Sequence, residues 1–260
     1  MNENSTAQIN ERLLNIQKEW LSAVVEPFMA KGYNECFSLP FHFGISGQRD
    51  PGRKMIMIVG QEADNFMKYT DTDKNAEYIQ QWCIGYFDKQ IYKTPFGEYD
   101  IYNNSAFWGF FRLLYDEGFD LCWNNVNKLH RYQNIIRNGK TFEVTDILTA
   151  EYERQLSARY GKEEKSLLRR EIEAAKPDAV VFLTGPNYQC TMCTAFGLPE
   201  DGLNPYKPVK TNPYNEISGI LGLDIPVFWT YHPGYLKRIR CLNSIVEAVS
   251  CDFKKYLCNK

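Results

Sequence analysis

At 260 residues, with 44% hydrophobic and 15% aromatic side chains, the chain is long and apolar enough for one large domain around a sizeable core. Thirty Lys and Arg against 32 Asp and Glu leave a net charge of −2, which excludes a global positive field for nucleic acid or anionic membrane. A polyanionic partner must therefore be held by a local patch.

No apolar run approaches the ~18 residues of a membrane span. The first twenty residues, MNENSTAQINERLLNIQKEW, lack the basic and apolar regions of a secretory signal, so a cytoplasmic protein free of membrane is expected. The one close cysteine pair, Cys190 and Cys193, has no second pair at metal-binding spacing. Buried reduced thiols are expected, with no metal cluster and no cofactor.

In chain order, Ile9, Leu13, Ile16, Trp20, Ala23 and Val24 recur at helical spacing and predict an amphipathic first helix over 7–31. The turn-rich LPFHFGISGQRDPGRK follows, then MIMIVG (55–60), a buried strand closed by Gly60. Residues 64–104 are polar, aromatic and irregular, and read as a functional loop with short helices. SAFWGFFRLLYDEG (105–118) predicts a helix capped by Ser105 and stopped by Gly118. FDLCWNNV is the second strand. ILTAEYERQLSARYGKEEKSLLRREIEAAK is helical in period until Lys176-Pro177 ends it. DAVVFLTG and IPVFWT are strands three and four, separated by a Pro- and Asn-rich stretch, and CLNSIVEAVSCDFKKYL closes the chain as a helix.

Apolar strands alternating with helices predict an α/β fold: a three-layer α/β/α domain over 1–260 with a central four-stranded parallel sheet. Residues 1–50 form an N-terminal helical extension packing on it. Ligands of such folds bind beyond the carboxyl ends of the strands. There the sequence places GQEADNF, NNVNK, GPNY and YHPGYLKR, each rich in Gly, Asn, His or carboxylate.

These same stretches carry a resemblance. GQEAD resembles the first motif of the uracil-DNA glycosylase superfamily, a GQDPY or GE-x-PG loop; WNNVNK resembles its Asn-bearing strand end; YHPGYL resembles its closing HPSPL motif. AAKPDAVVFLTG and SAFWGFFRLLYDEGF are similar to the superfamily's KP-strand segment and its FW-containing helix. The motifs occur in order over about residues 54–245, each in the expected structural context. The resemblance implies a monomeric DNA-repair hydrolase that flips a damaged or modified base out of DNA and cleaves its N-glycosidic bond.

Roles follow position by position. Glu62 lies where relatives place an Asp, and a carboxylate there activates water and opposes the sugar cation; Asp64 is the second carboxylate of that loop. His232 donates to the carbonyl oxygen of the leaving base. Asn125 reads the flipped base through its amide, with Asn124 in its place if the register slips by one. Gly60 and Gln61 line the base, and the aromatic platform is one of Phe96, Tyr99 and Tyr102. Leu236 is the wedge that fills the vacated stack. Gly185, Tyr235, Lys237, Arg238 and Arg240 contact the DNA, with Lys128, His130 and Arg131 opposite.

Ala63 stands where the family has Pro, and Asp64 where it has Tyr or Gly, so the base need not be uracil. Two other readings stay open: a catalytically silent nucleic-acid or protein-binding module, and a hydrolase or transferase of free nucleosides or nucleotides.

Overall fold

The computed structural model describes residues 5–61, 69, 75–94, 98–99, 104–132, 134–137, 140–143, 154, 156 and 165–258. Helix α1 (Thr6–Trp20) begins at a capping box: the Ser5 hydroxyl accepts from the Gln8 backbone while the Gln8 side chain accepts from the Ser5 backbone. It buries Ile9, Leu13, Gln17 and Trp20, and runs on through two widened turns to Gly32, whose φ of 99° ends it.

The next stretch is read in sequence as turns. Instead Phe37, Leu39, Phe41, Phe43 and Ile45 are all buried in an extended run hydrogen-bonded to the backbone of Lys128 and His130. Strand β1 (Met55–Gly60) is buried throughout. The expected irregular loop then contains a full helix, α2 (Ala76–Ile91), capped by Asn75. Its buried Ile79, Cys83, Phe87 and Ile91 recur at helical spacing, but the buried Gln80 and Gln90 among them dilute the apolar signal.

Helix α3 (Ala106–Asp116) is capped by Ser105 and followed by Gly118 at φ 94°, as its sequence predicts. Strand β2 (Asp120–Asn125) follows, then an antiparallel pair absent from the sequence reading, β3 (Asn134–Arg137) and β4 (Lys140–Glu143). Residues 138 and 139 between them are Asn-Gly, the strongest short hairpin signal a sequence offers.

Helix α4 (Leu167–Ala175) ends at Lys176, the residue before proline, held at φ 50°. The chain continues through β5 (Ala179–Phe182), α5 (Gln189–Ala195), β6 (Tyr214–Glu216), β7 (Val227–Thr230), α6 (Pro233–Arg238) and α7 (Leu242–Cys258).

The sheet order is β2-β1-β5-β7-β6. The four expected strands are all present and mutually parallel, with Gly60 beside Asn125, and Val59, Phe182 and Trp229 in one row. The expected four-stranded sheet needs one correction: β6 adds a fifth strand, antiparallel to β7. Tyr214 and Asn215, half-buried, and the exposed Glu216 give no apolar run to find on a sheet edge.

Helix α1 packs on α4, and α3 packs on α2, α6 and α7. The thiols divide: Cys36, Cys83, Cys122 and Cys193 are buried, Cys241 is half-buried, and Cys190, Cys251 and Cys258 are exposed. Among the described residues no helix is long and apolar enough to cross a membrane.

Candidate active site

The chain leaves β1 toward β2 on one side and leaves β5 toward β7 on the other. Diverging connections from adjacent parallel strands open a crevice between their carboxyl ends, where α/β folds bind ligands. A cleft of about 500 Å³ lies there, lined by Gln61 after β1, Thr184 and Gly185 after β5, and Tyr231 and His232 after β7. Its walls are joined by Gln61 Nε2, which donates to the Thr184 carbonyl at 2.8 Å. Thr184 Oγ1 in turn accepts from Trp229 Nε1 at 3.0 Å. Gly185 sits at φ 66°, a conformation that favours glycine, and donates its N–H to the Thr230 carbonyl at 2.9 Å.

His232 caps α6. Its Nδ1 accepts from the Gly234 N–H at 3.2 Å, so the neutral ring carries its proton on Nε2. Burial lowers its pKa below the ordinary histidine value, which favours that neutral form. The ring stacks on Phe107 with centroids 5.9 Å apart and planes 12° from parallel. A hydrogen-bond donor is thereby fixed in orientation at the mouth of the last parallel strand.

Asn125 lies one layer deeper. It is fully buried, its Oδ1 accepts from Trp123 Nε1 at 3.2 Å, and its Nδ2 has no hydrogen-bond partner among the described residues. The indole is a donor only, which fixes the amide's orientation. Glycine at position 60 permits this placement: a Cβ there would stand 2.6 Å from Asn125 Oδ1 and 3.2 Å from the Phe107 ring. Gly60→Ala should therefore cost about 1–3 kcal/mol by overpacking and displace the Asn125 amide. Chemical denaturation and the amide's NMR shift would measure both, and an unchanged Asn125 signal would refute this role for Gly60.

Asn124 and Lys128 serve a different purpose from the expected one. Lys128 is buried, with its ammonium 2.5 Å from Glu171 Oε2, and it also donates to Asn124 Oδ1. Asn124 Nδ2 donates to Glu171 at 3.0 Å and its Oδ1 accepts the Asn125 N–H at 2.8 Å. Gln17 from α1 donates to Glu171 Oε1 at 2.9 Å and accepts from Gln80 of α2. Lys128 thus cannot reach a phosphate, and Asn124 holds the backbone of its neighbour rather than facing a ligand.

The closing turn is also rearranged. Leu236, expected to protrude as a wedge, is 0% exposed and packs in the core. Tyr235 and Arg238 line the cleft, and Lys237, Arg238 and Arg240 are exposed, as grips for a polyanion require. His130 and Arg131 are half-buried; Arg131 bridges to Phe37, and the His130 backbone bonds to Ser38. Tyr99 packs beneath the cations of Lys93 and Arg112, neither of which lines the cleft. Glu62, Ala63, Asp64, Phe96 and Tyr102 lie outside the described residues.

Sequence reading gave no site role to Phe107 or Thr184, and it placed Tyr231 and Asn187 in the strand-end stretches without a role of their own. Tyr231 had a signal: it stands four residues before Tyr235, and the rings meet at 4.4 Å. No family model matches the chain, and no curated protein sequence matches it.

Proposed function

We propose that the chain is a DNA glycosylase of the uracil-DNA glycosylase kind, hydrolysing the N-glycosidic bond of uracil or another damaged base drawn into the cleft. The observation that carries this reading is His232: a neutral imidazole at the carboxyl end of β7, with Nδ1 occupied and Nε2–H without a hydrogen-bond partner among the described residues. When the C1′–N bond breaks, its electron pair leaves with the base and charge collects on the base's carbonyl oxygen. An oriented donor stabilises that oxygen in the transition state more than in the ground state.

The remaining parts follow from the same chemistry. Water attacks C1′ and gives up its proton to a carboxylate, the role assigned to Glu62 by its place in the GQEAD loop. The unpartnered Asn125 Nδ2 supplies a second donor if the Gly60–Phe107 layer opens to the base. Exposed Lys237, Arg238 and Arg240 meet phosphates. The strand order β2-β1-β5-β7 reverses direction after β2, and the right-handed rule for parallel crossovers then sends connections to both faces of the sheet, which supports the three-layer α/β/α arrangement.

Full burial of Asn125 favours one competing reading, a nucleic-acid-binding module that does not cleave. Oligonucleotides bearing uracil, hypoxanthine, xanthine or hydroxymethyluracil, assayed for base release under single-turnover conditions, separate the two. Release from at least one is expected. A folded protein inert on all four would overturn the glycosylase reading.

A further inference from the structure

Cys190 and Cys193, the one close cysteine pair in the sequence, both lie in α5. Three positions along a helix bring their Cα atoms about 5 Å apart, inside the ~4.4–6.8 Å that a disulfide takes. The two thiols have different surroundings: Cys190 is exposed, whereas Cys193 is buried with Met192 and Ala195. Burial raises the Cys193 pKa, while the backbone N–H of Leu203 bonds to the sulfur and opposes the rise. Two thiolates supply half of a tetrahedral metal site, and no group of three or more His, Cys, Asp or Glu among the described residues could hold a metal ion. The other exposed thiols, Cys251 and Cys258, stand two turns apart on α7, about 10.5 Å, too far to bridge to each other. Between the paired cysteines lies Met192, whose Sδ accepts from Thr184 Oγ1 at 3.0 Å. Thr184 lines the cleft, and the same hydroxyl accepts from Trp229 Nε1. A change in this turn of α5 therefore reaches the cleft wall through Met192 and Thr184.

We propose that Cys190 and Cys193 are a redox-active dithiol, oxidised by hydrogen peroxide to an intramolecular disulfide that shifts the cleft wall. The exposed Cys190 thiolate attacks a peroxide oxygen, the O–O bond breaks, and Cys190 becomes a sulfenic acid. The hydroxide that leaves takes up the proton Cys190 gave and departs as water. Cys193 Sγ then attacks the Cys190 sulfur and the S–O bond breaks, so the Cys193 proton leaves with hydroxide as a second water. The two thiols lose two electrons and one peroxide gains them. A disulfide closing so short a loop is strained, and an external thiol readily returns it to the dithiol. The pair acts in this way whatever reaction the cleft performs.

Treating the whole protein with hydrogen peroxide, then alkylating it and mapping its peptides by mass, tests the proposal. The tryptic peptide that carries both cysteines should lose two hydrogens and both alkylation sites, and dithiothreitol should restore them. Cys190→Ser, a change at an exposed position, should abolish this and leave Cys193 open to alkylation once the protein is unfolded. Cys193→Ala should instead hold Cys190 as a sulfenic acid that dimedone traps. The Trp229 indole N–H signal should move when the unsubstituted protein is oxidised and stay in place in Cys190→Ser. Full alkylation of Cys190 and Cys193 after peroxide, or disulfides through Cys251 or Cys258 in their place, would overturn the dithiol. An indole signal unmoved by the disulfide would overturn its link to the cleft.

Discussion

His232→Ala should slow base release by roughly 10²-fold or more while the protein remains folded. That is the scale for removing one oriented donor from a site of developing negative charge. The substitution also removes the acceptor for the Gly234 N–H, so a small loss of stability, about 1 kcal/mol, accompanies it. His232→Asn separates the two effects, because its Oδ1 can replace Nδ1 at the cap while nothing replaces Nε2. It should melt close to the unsubstituted protein yet release base as slowly as the alanine variant.

The pH profile carries a sign. Burial lowers the His232 pKa, so the folded state favours the neutral ring. Its contribution to stability is full above the ordinary value near 6.5 and is lost as pH falls through the lowered one. Protonating Nδ1 would also place a proton against the Gly234 N–H. The acid limb of base release should therefore begin below 6.5. A limb above that value, or an alanine variant whose rate falls only in proportion to the folded fraction, would show His232 to be structural.

The largest stability effect should come from Lys128→Met. Removing one partner of a fully buried ion pair leaves the other charge uncompensated, at a cost of about 3–5 kcal/mol. Glu171 would keep its bonds from Gln17 and Asn124 but lose the cation that offsets its desolvation. Neutralising it as well, in Lys128→Met/Glu171→Gln, should restore part of the loss. The double variant should be markedly more stable than the sum of the single changes implies. Urea denaturation of the four proteins in this cycle measures the coupling. Additive single effects would mean that the pair contributes no specific stability. The cluster joins α1, α2, α4 and β2 directly behind Asn125, so Lys128→Met should also shift the Asn125 backbone amide, whose N–H bonds to Asn124.

The four parallel strands were legible because strands buried on both faces read as short unbroken apolar runs between helical periods. MIMIVG, VVF and VFW left little choice. The helix start at Ser105, and the stops at Gly118 and Lys176-Pro177, were local enough to read residue by residue. Elements with weak local patterns were lost: the three-residue edge strand β6, and α2 with its buried glutamines. The site was legible as a set of strand ends, since a parallel sheet brings all its carboxyl ends to one side.

Which side chains face the cleft was a tertiary decision. Lys128 and Leu236 both stand beside motif residues and look available in sequence. A buried glutamate forty-three positions away claims the first, and the core claims the second. The sequence alone determined the α/β class, the strand order along the chain and the placing of His232 at the mouth of the last parallel strand. Only the folded chain decided that His232 accepts at Nδ1 and so carries its proton on Nε2, that Asn125 is buried behind Gly60, and that Tyr231 joins Tyr235 along the cleft. Burial and hydrogen-bond partners come from residues distant in sequence, and no local pattern of apolar and polar positions encodes them.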